Sequence, residues 1–417
     1  MNGLGGQRVV VTGVGAVGPF GAGANQLFDG VVGGACAIRA IDAFDAGAYP
    51  TRVAAALPVG FDFSAHLPRK LLRMMDPFQA LGMIAALEAF RDSGAKLEEL
   101  DSYRGGLWMG SCLGQVEAAG AIIDTVRMKG WRKLSPYGML RYQFSGIAVW
   151  PGINLGLRGP SVTVGASTAS SLVAIGRAAG LIRVGEADRM LAGGADSIQE
   201  STLALLIAYG LLAPADEGAA ATVARPFDRE RTGAALGEGG AALALESEAS
   251  ARERGARVRA EILGFGCAFD PAEDPAERGE GLEQAMRGAL EDAGLSASDI
   301  ELVSADASGC PIGDAVELRA LDAVLGERAR QIPVVSPRGH LGHALGAAPA
   351  LQTVLAILGS EAGLVTPTIG FGESDLGAEF DHVPGEAREL VHRTILVNGF
   401  GLDGQAAALV LRVGAPD

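Results

Sequence analysis

One threonine sits where a strand hands over to a buried helix. Residues 159–196 read GPSVTVGASTASSLVAIGRAAGLIRVGEADRMLAGGAD. The β-branched run Val162, Thr163, Val164 predicts a strand, and Gly165, Ala166, Ser167 a small-residue turn. Ala169, Leu172, Val173, Ile175, Gly176, Ala179 and Ile182 then recur at helical spacing, with no charge until Arg177. A helix this apolar is buried on most sides. A side chain at Thr168 would feel the positive end of that helix and its free N–H donors, a setting suited to a nucleophile or an oxyanion. A threonine hydroxyl is a weak nucleophile and needs a neighbouring base. Cysteine would serve better, yet Cys36, Cys112, Cys267 and Cys310 are scattered, without metal-ligand spacing, and none falls in the turn.

Two other stretches carry chemistry-bearing patterns. RVVVTGVGAVG (8–18) spells Gly13-x-Gly15-x-x-Gly18, the dinucleotide fingerprint. A nucleotide site would need a helix opening at once and an acidic residue about 20 positions on. Pro19 and Phe20 follow instead. The glycines therefore read as a close approach of backbone to core, and a nicotinamide-dependent oxidoreductase is disfavoured. In ARPFDRERTGAALGEGG (224–240), Arg225, Asp228, Arg231 and Glu238 can pair across a loop, while Gly237 and Gly239 let backbone approach the core.

The elements that must position these groups alternate strand and helix, which predicts an α/β class. Leu71, Leu72, Met75, Phe78, Leu81, Ile84 and Leu87 predict one helical face across residues 68–95. Residues 107–124 read strand, Gly turn, helix, with Val116, Ala119 and Ile123 on one face. RAEILGFGCAFD (259–270) echoes the opening strand and its Gly-x-Gly, compatible with a duplicated fold divided near residue 250. At 417 residues, 48% hydrophobic, the chain can bury two fused half-domains. A net charge of −15 argues against nucleic acid or an anionic membrane as partner. The first residues lack a signal-peptide layout and no apolar run is long enough for a span, so the expected location is cytoplasmic.

These motifs together resemble the β-ketoacyl synthases, the condensing enzymes of fatty acid and polyketide assembly. The turn-helix at Thr168 is similar to their nucleophile segment, with threonine where the family has cysteine. Residues 224–239 match A-R-P-F-D-x-x-R-x-G-x-x-x-G-E-G, and Arg73-Met-Met-Asp76 resembles R-x-M-D. Ser308 to Asp314 resembles H-G-T-[GS]-T-x-x-[GN]-D, which sets Asp306 at the first catalytic histidine. Residues 333–348 resemble S-x-K-S-x-x-G-H-x-x-G-A-A, keeping His343 and replacing the lysine by Arg338. The closing Asn398, Phe400, Gly401 and Gly404 resemble N-S-F-G-F-G-G-x-N, with Phe400 at the gating phenylalanine, while Leu402, Asp403 and Gln405 depart.

The resemblance implies a thiolase-like five-layer αβαβα sandwich of two similar halves, residues 1–250 and 251–417, working as a dimer without cofactor or metal. It also implies decarboxylative condensation of acyl chains carried by an acyl carrier protein. With Thr168 and Asp306 at two catalytic positions and only His343 kept, the pattern resembles the chain length factor, or ketosynthase β subunit, of type II polyketide synthases. Such a subunit forms a heterodimer with a catalytic ketosynthase α subunit and lines the tunnel of the acyl or polyketide chain. Val116, Ala119, Ile123 and Phe400 would be tunnel positions. The alternative is a divergent 3-oxoacyl-[acyl-carrier-protein] synthase or acyltransferase acting through Thr168.

Overall fold

A computed structural model describes residues 6–375 and 379–414. The first half contributes β1 (Val9–Gly18), α1 (Pro77–Asp92), β2 (Gly105–Gly110), α2 (Val116–Lys129), α3 (Pro136–Tyr142), β3 (Ser161–Val164), α4 (Ser170–Arg183), β4 (Arg189–Asp196) and β5 (Gly239–Ser247). The second contributes β6 (Ala260–Phe269), α5 (Glu280–Ala293), β7 (Leu302–Ser304), α6 (Pro311–Leu325), β8 (Val334–Val335), α7 (Ala348–Ala362), β9 (Thr394–Phe400) and β10 (Gln405–Val413).

The strands run β8-β7-β9-β10-β6-β1-β5-β4-β2-β3 through one mixed sheet. From the central pair outward, each half repeats one order. In the first half, β1 and β5 pair antiparallel, as do β5 and β4, and β4, β2 and β3 run parallel. In the second half β6, β10, β9, β7 and β8 repeat those directions. β1 and β6 join the halves antiparallel through Val9–Val11 and Ala260–Ile262. Helices α4 and α7 pack together between the halves, α1 covers the outer face of β1, β5 and β4, and α5 covers β6 and β10. This is the thiolase-like layering expected from the sequence.

The Gly-x-Gly echo has a steric cause. A Cβ on Gly13 or Gly15 would lie 2.2 Å from the Ala89 or Ala85 carbonyl of α1. On Gly264 or Gly266 it would lie 2.1 or 2.0 Å from the Ala289 or Ala285 carbonyl of α5. Each strand also shifts register at the equivalent place, Val11/Gly13 and Ile262/Gly264. Gly13-x-Gly15 is thus a helix-packing device inside a continuous strand, not a phosphate loop.

The single helical face expected over residues 68–95 is broken. A short helix, Arg69–Leu72, ends before Asp76, which caps α1 reciprocally with Gln79, and Pro77 opens α1. Proline at a first helical position has no N–H to lose and stops the preceding helix from running on. The apolar stretch Leu345–Ala362 has the length and hydropathy of a membrane span, but it is 83% buried in the core.

Candidate functional site

Strand β3 ends at Val164 and α4 begins at Ser170, so residues 165–169 make the turn that the sequence anticipated. Ser167 takes a left-handed φ of 49°. Ser170 Oγ accepts the Ala166 N–H at 2.9 Å and donates to the Ser167 carbonyl at 2.6 Å, which locks the turn. Gly401 seats the last glycine loop on it, since a Cβ there would lie 2.5 Å from Ser167 Oγ. Thr168 is buried at the head of α4.

Thr168, Asp306, His343 and Phe400 line one cavity of about 60 Å³, together with Cys112, Ser167, Cys310 and Tyr209. Four residues named from distant motifs are thereby brought together. Val116 and Ala119 are half-buried on α2 and Ile123 is 48% exposed; none of the three lines this cavity.

The wall contributed by the second half is charged. Arg338, 1% exposed, meets the Asp306 carboxylate through Nη2 and Gln352 Oε1 at 3.2 Å. The Phe400 backbone lies near enough to Asp306 to oppose the effect of burial on its carboxyl. Glu317 Oε1 accepts the Asp306 N–H at 2.9 Å and Asn398 Nδ2 at 3.0 Å. Burial raises Asp306 well above the carboxylate range, and the Arg338 charge opposes it. Burial likewise pushes Glu317 up to about 7. One guanidinium thus serves two buried carboxyls, Asp306 by direct contact and Glu317 at longer range.

His343 is a donor here rather than a base. Its Nδ1 accepts the Leu345 N–H at 3.1 Å, which leaves the ring proton on Nε2. Burial, reinforced by Arg338, holds its pKa well below the usual value, so the ring stays neutral. A neutral ring protonated on Nε2 has no free lone pair with which to take a proton from Thr168.

Several contributors escaped sequence reasoning. The Asp196 carboxylate, at the end of β4, accepts Ser111 Oγ at 2.8 Å and the N–H groups of Cys112, Leu113 and Gly346 at 2.9, 3.1 and 2.9 Å. Asp314 accepts the N–H groups of Phe227, Ser308 and Gly309 at 2.7, 3.0 and 3.1 Å. Burial pushes both carboxyls up to about 6. Cys112 and Cys310, distant from the turn in sequence, reach the cavity, and burial raises both thiols. They are therefore neutral thiols and not activated nucleophiles.

The pairing expected in residues 224–240 is partly different. Arg225 does reach Asp228, at 3.5 Å. Arg231 instead binds Asp375 at 2.5 Å, and Glu238 accepts the Leu57 and Ile198 N–H groups at 2.8 and 3.0 Å. Half-buried and acceptor-only, Glu238 satisfies backbone donors that no arginine could serve. Gly237 and Gly239 do allow close approach: a Cβ would lie 2.3 Å from the Leu341 carbonyl and 2.7 Å from the Val17 carbonyl.

Comparison with known proteins fits this geometry. The beta-ketoacyl synthase N-terminal domain model matches residues 6–251, and the C-terminal domain model matches residues 259–372. The chain belongs to the β-ketoacyl synthase family. It is 33% identical to 3-oxoacyl-[acyl-carrier-protein] synthase 2 of Coxiella burnetii, over 97% of this chain and 98% of that one. Among solved structures of the fold, "The ishigamide ketosynthase/chain length factor" superposes with a TM-score of 0.90 at 30% identity, covering 98% of this chain and all of that one. A beta-ketoacyl synthase from Burkholderia phymatum also superposes at 0.90, with 31% identity and the same coverage.

Proposed function

We propose that this chain is the non-catalytic member of a ketosynthase pair, a chain length factor that shapes the acyl tunnel while a catalytic partner condenses malonyl units. The observation that carries the reading is the wall facing Thr168. Asp306 takes the Arg338 guanidinium. Condensation develops negative charge on an enolate and on carbonyl oxygens, which needs donors aimed at the reacting atoms. Here the guanidinium is already spent on a carboxylate, and His343, a donor through Nε2, has no free lone pair with which to serve Thr168 as a base. Coordinated loss at three positions marks a subunit released from chemistry, with the fold kept for assembly.

The surface supports a partner. β3 ends the sheet order, and its Ser161 and Val162 are exposed, leaving an open edge that a second subunit would cover. Ile123, Val126, Met128, Trp131, Tyr137 and Met139 on and between α2 and α3 are 41–74% exposed, and a cluster of exposed apolar side chains is the kind of surface that marks a protein interface. In this reading the face of α2 bearing Val116, Ala119 and Ile123 meets the catalytic subunit and forms tunnel wall there. Phe400 stays at the cavity, and an acyl carrier protein delivers the chain to the partner.

The experiment is co-expression with the ketosynthase encoded beside it, followed by size exclusion and a malonyl-dependent condensation assay. A 1:1 complex active only with both chains, and indifferent to Thr168→Ala, is the expected result. Identity to 3-oxoacyl-[acyl-carrier-protein] synthases over nearly the whole chain favours a second reading, condensation through Thr168 itself. That reading requires activity from this chain alone, an acyl adduct by mass spectrometry, and loss of both in Thr168→Ala.

A further inference from the structure

Asp306 lines the cavity, whereas its cation, Arg338, lies behind it. After the contact with Asp306, Arg338 Nε and Nη1 are shielded from solvent and have no partner among the described residues. Idle donors on a buried guanidinium are costly. The planar fork they belong to is matched best by a planar carboxylate, held bidentately. A buried guanidinium that holds one anion beside an open cavity and keeps two further donors idle has the form of a receptor whose ligand happens to be tethered.

We infer that this wall is a binding site for a small carboxylate, held shut by Asp306 as an internal occupant. The side chain is an autoinhibitory plug: it satisfies the donors and keeps an external carboxylate away from Thr168 and His343. The atoms that Asp306→Ala removes are those of a carboxylate group, so the vacated space has the size of formate and opens onto a cavity of about 60 Å³. Glu317 is the internal competitor. It is buried within the same cluster, and its Oε2 lacks a partner among the described residues. If Glu317 ionised and turned to Arg338, no external anion would be needed.

The test is thermal denaturation of the full-length protein in sodium formate against sodium chloride at equal ionic strength, with line broadening of carbon-13 formate as a direct readout. Asp306→Ala should be stabilised saturably by formate, by roughly 1–2 °C at a tenfold excess over Kd. Wild type and the double variant Asp306→Ala/Arg338→Met should respond to formate no more than to chloride. If Asp306→Ala responds like wild type, or if the response survives loss of Arg338, the inference fails. Asp306→Ser, which keeps a polar group on the wall, carries the same comparison should the alanine variant aggregate. Failure here would leave the co-expression result untouched, because the plug concerns this cavity whether or not a partner binds.

Discussion

Gly13 and Gly15 press β1 onto α1 just as Gly264 and Gly266 press β6 onto α5, and the strand directions repeat from one half to the other. At the cavity the two halves part company. The first half supplies a turn of small residues with Thr168 at the head of α4. The second supplies Asp306, Arg338, Glu317 and His343, a cluster of titratable and charged groups out of water. Duplication explains the scaffold, where packing constrains both copies alike. The chemistry of the cavity is set where the copies differ.

The equivalence of the scaffolds can be broken most severely at the glycines. Gly15→Ala and Gly266→Ala would each drive a Cβ into a helix carbonyl, at 2.2 and 2.0 Å. Each should cost at least about 4 kcal/mol, which is enough to unfold many domains. Soluble yield and circular dichroism should fail alike for both. If one were tolerated and the other not, the halves would not be mechanically equivalent.

Next come the carboxylates that cross between halves. Asp196, in the first half, holds the Gly346 amide of the second, while Asp314, in the second, holds the Phe227 amide of the first. Alanine at either position strands several buried N–H groups, and each stranded group costs about 1–3 kcal/mol. Asp196→Ala should be somewhat the worse, because it also loses Ser111 Oγ. Urea denaturation checks the ranking, and the reverse order would place the tighter seam on the Asp314 side.

Much of this division was readable from sequence and some was not. The turn at Thr168 was legible because a β-branched run, small residues and helical periodicity meet there. Asp306 was legible only by counting within a motif, and its attachment to Arg338 was not, since the two residues lie 32 positions apart in the chain. Asp196 looked like the end of a strand: a carboxylate that caps loops from distant segments leaves no local pattern. Cys112 and Cys310 were dismissed for their spacing, though topology delivers both to one cavity. The break at Asp76–Pro77 was missed because apolar periodicity ran through a proline that had the stronger claim.

Glu317 sharpens the comparison by pH. Its folded pKa of about 7 lies above the ordinary 4.5. Between those values the folded chain holds a proton that the unfolded chain has released. That proton contributes stability below about pH 4.5, and the contribution is lost as pH rises through about 7. Relative to Glu317→Gln, wild type should therefore lose on the order of 2–3 kcal/mol between pH 4.5 and 7.5. Parallel stability curves for the two proteins would mean that burial does not hold a proton on Glu317.

The smallest structural change should be the most informative about chemistry. Thr168→Cys exchanges one buried side chain for another of nearly equal volume and should alter stability by less than about 1 kcal/mol. It places a thiol at the head of α4, on the side of the first half. The second half remains as it was, with Asp306 taking the Arg338 guanidinium, and with the His343 proton on Nε2. The new thiol would thus lack a base and face a carboxylate, so it should be alkylated slowly beside the exposed Cys267. Condensation should stay absent. Turnover by Thr168→Cys alone would show that the charged wall rearranges when substrate arrives, and that the first half by itself decides whether this fold is an enzyme.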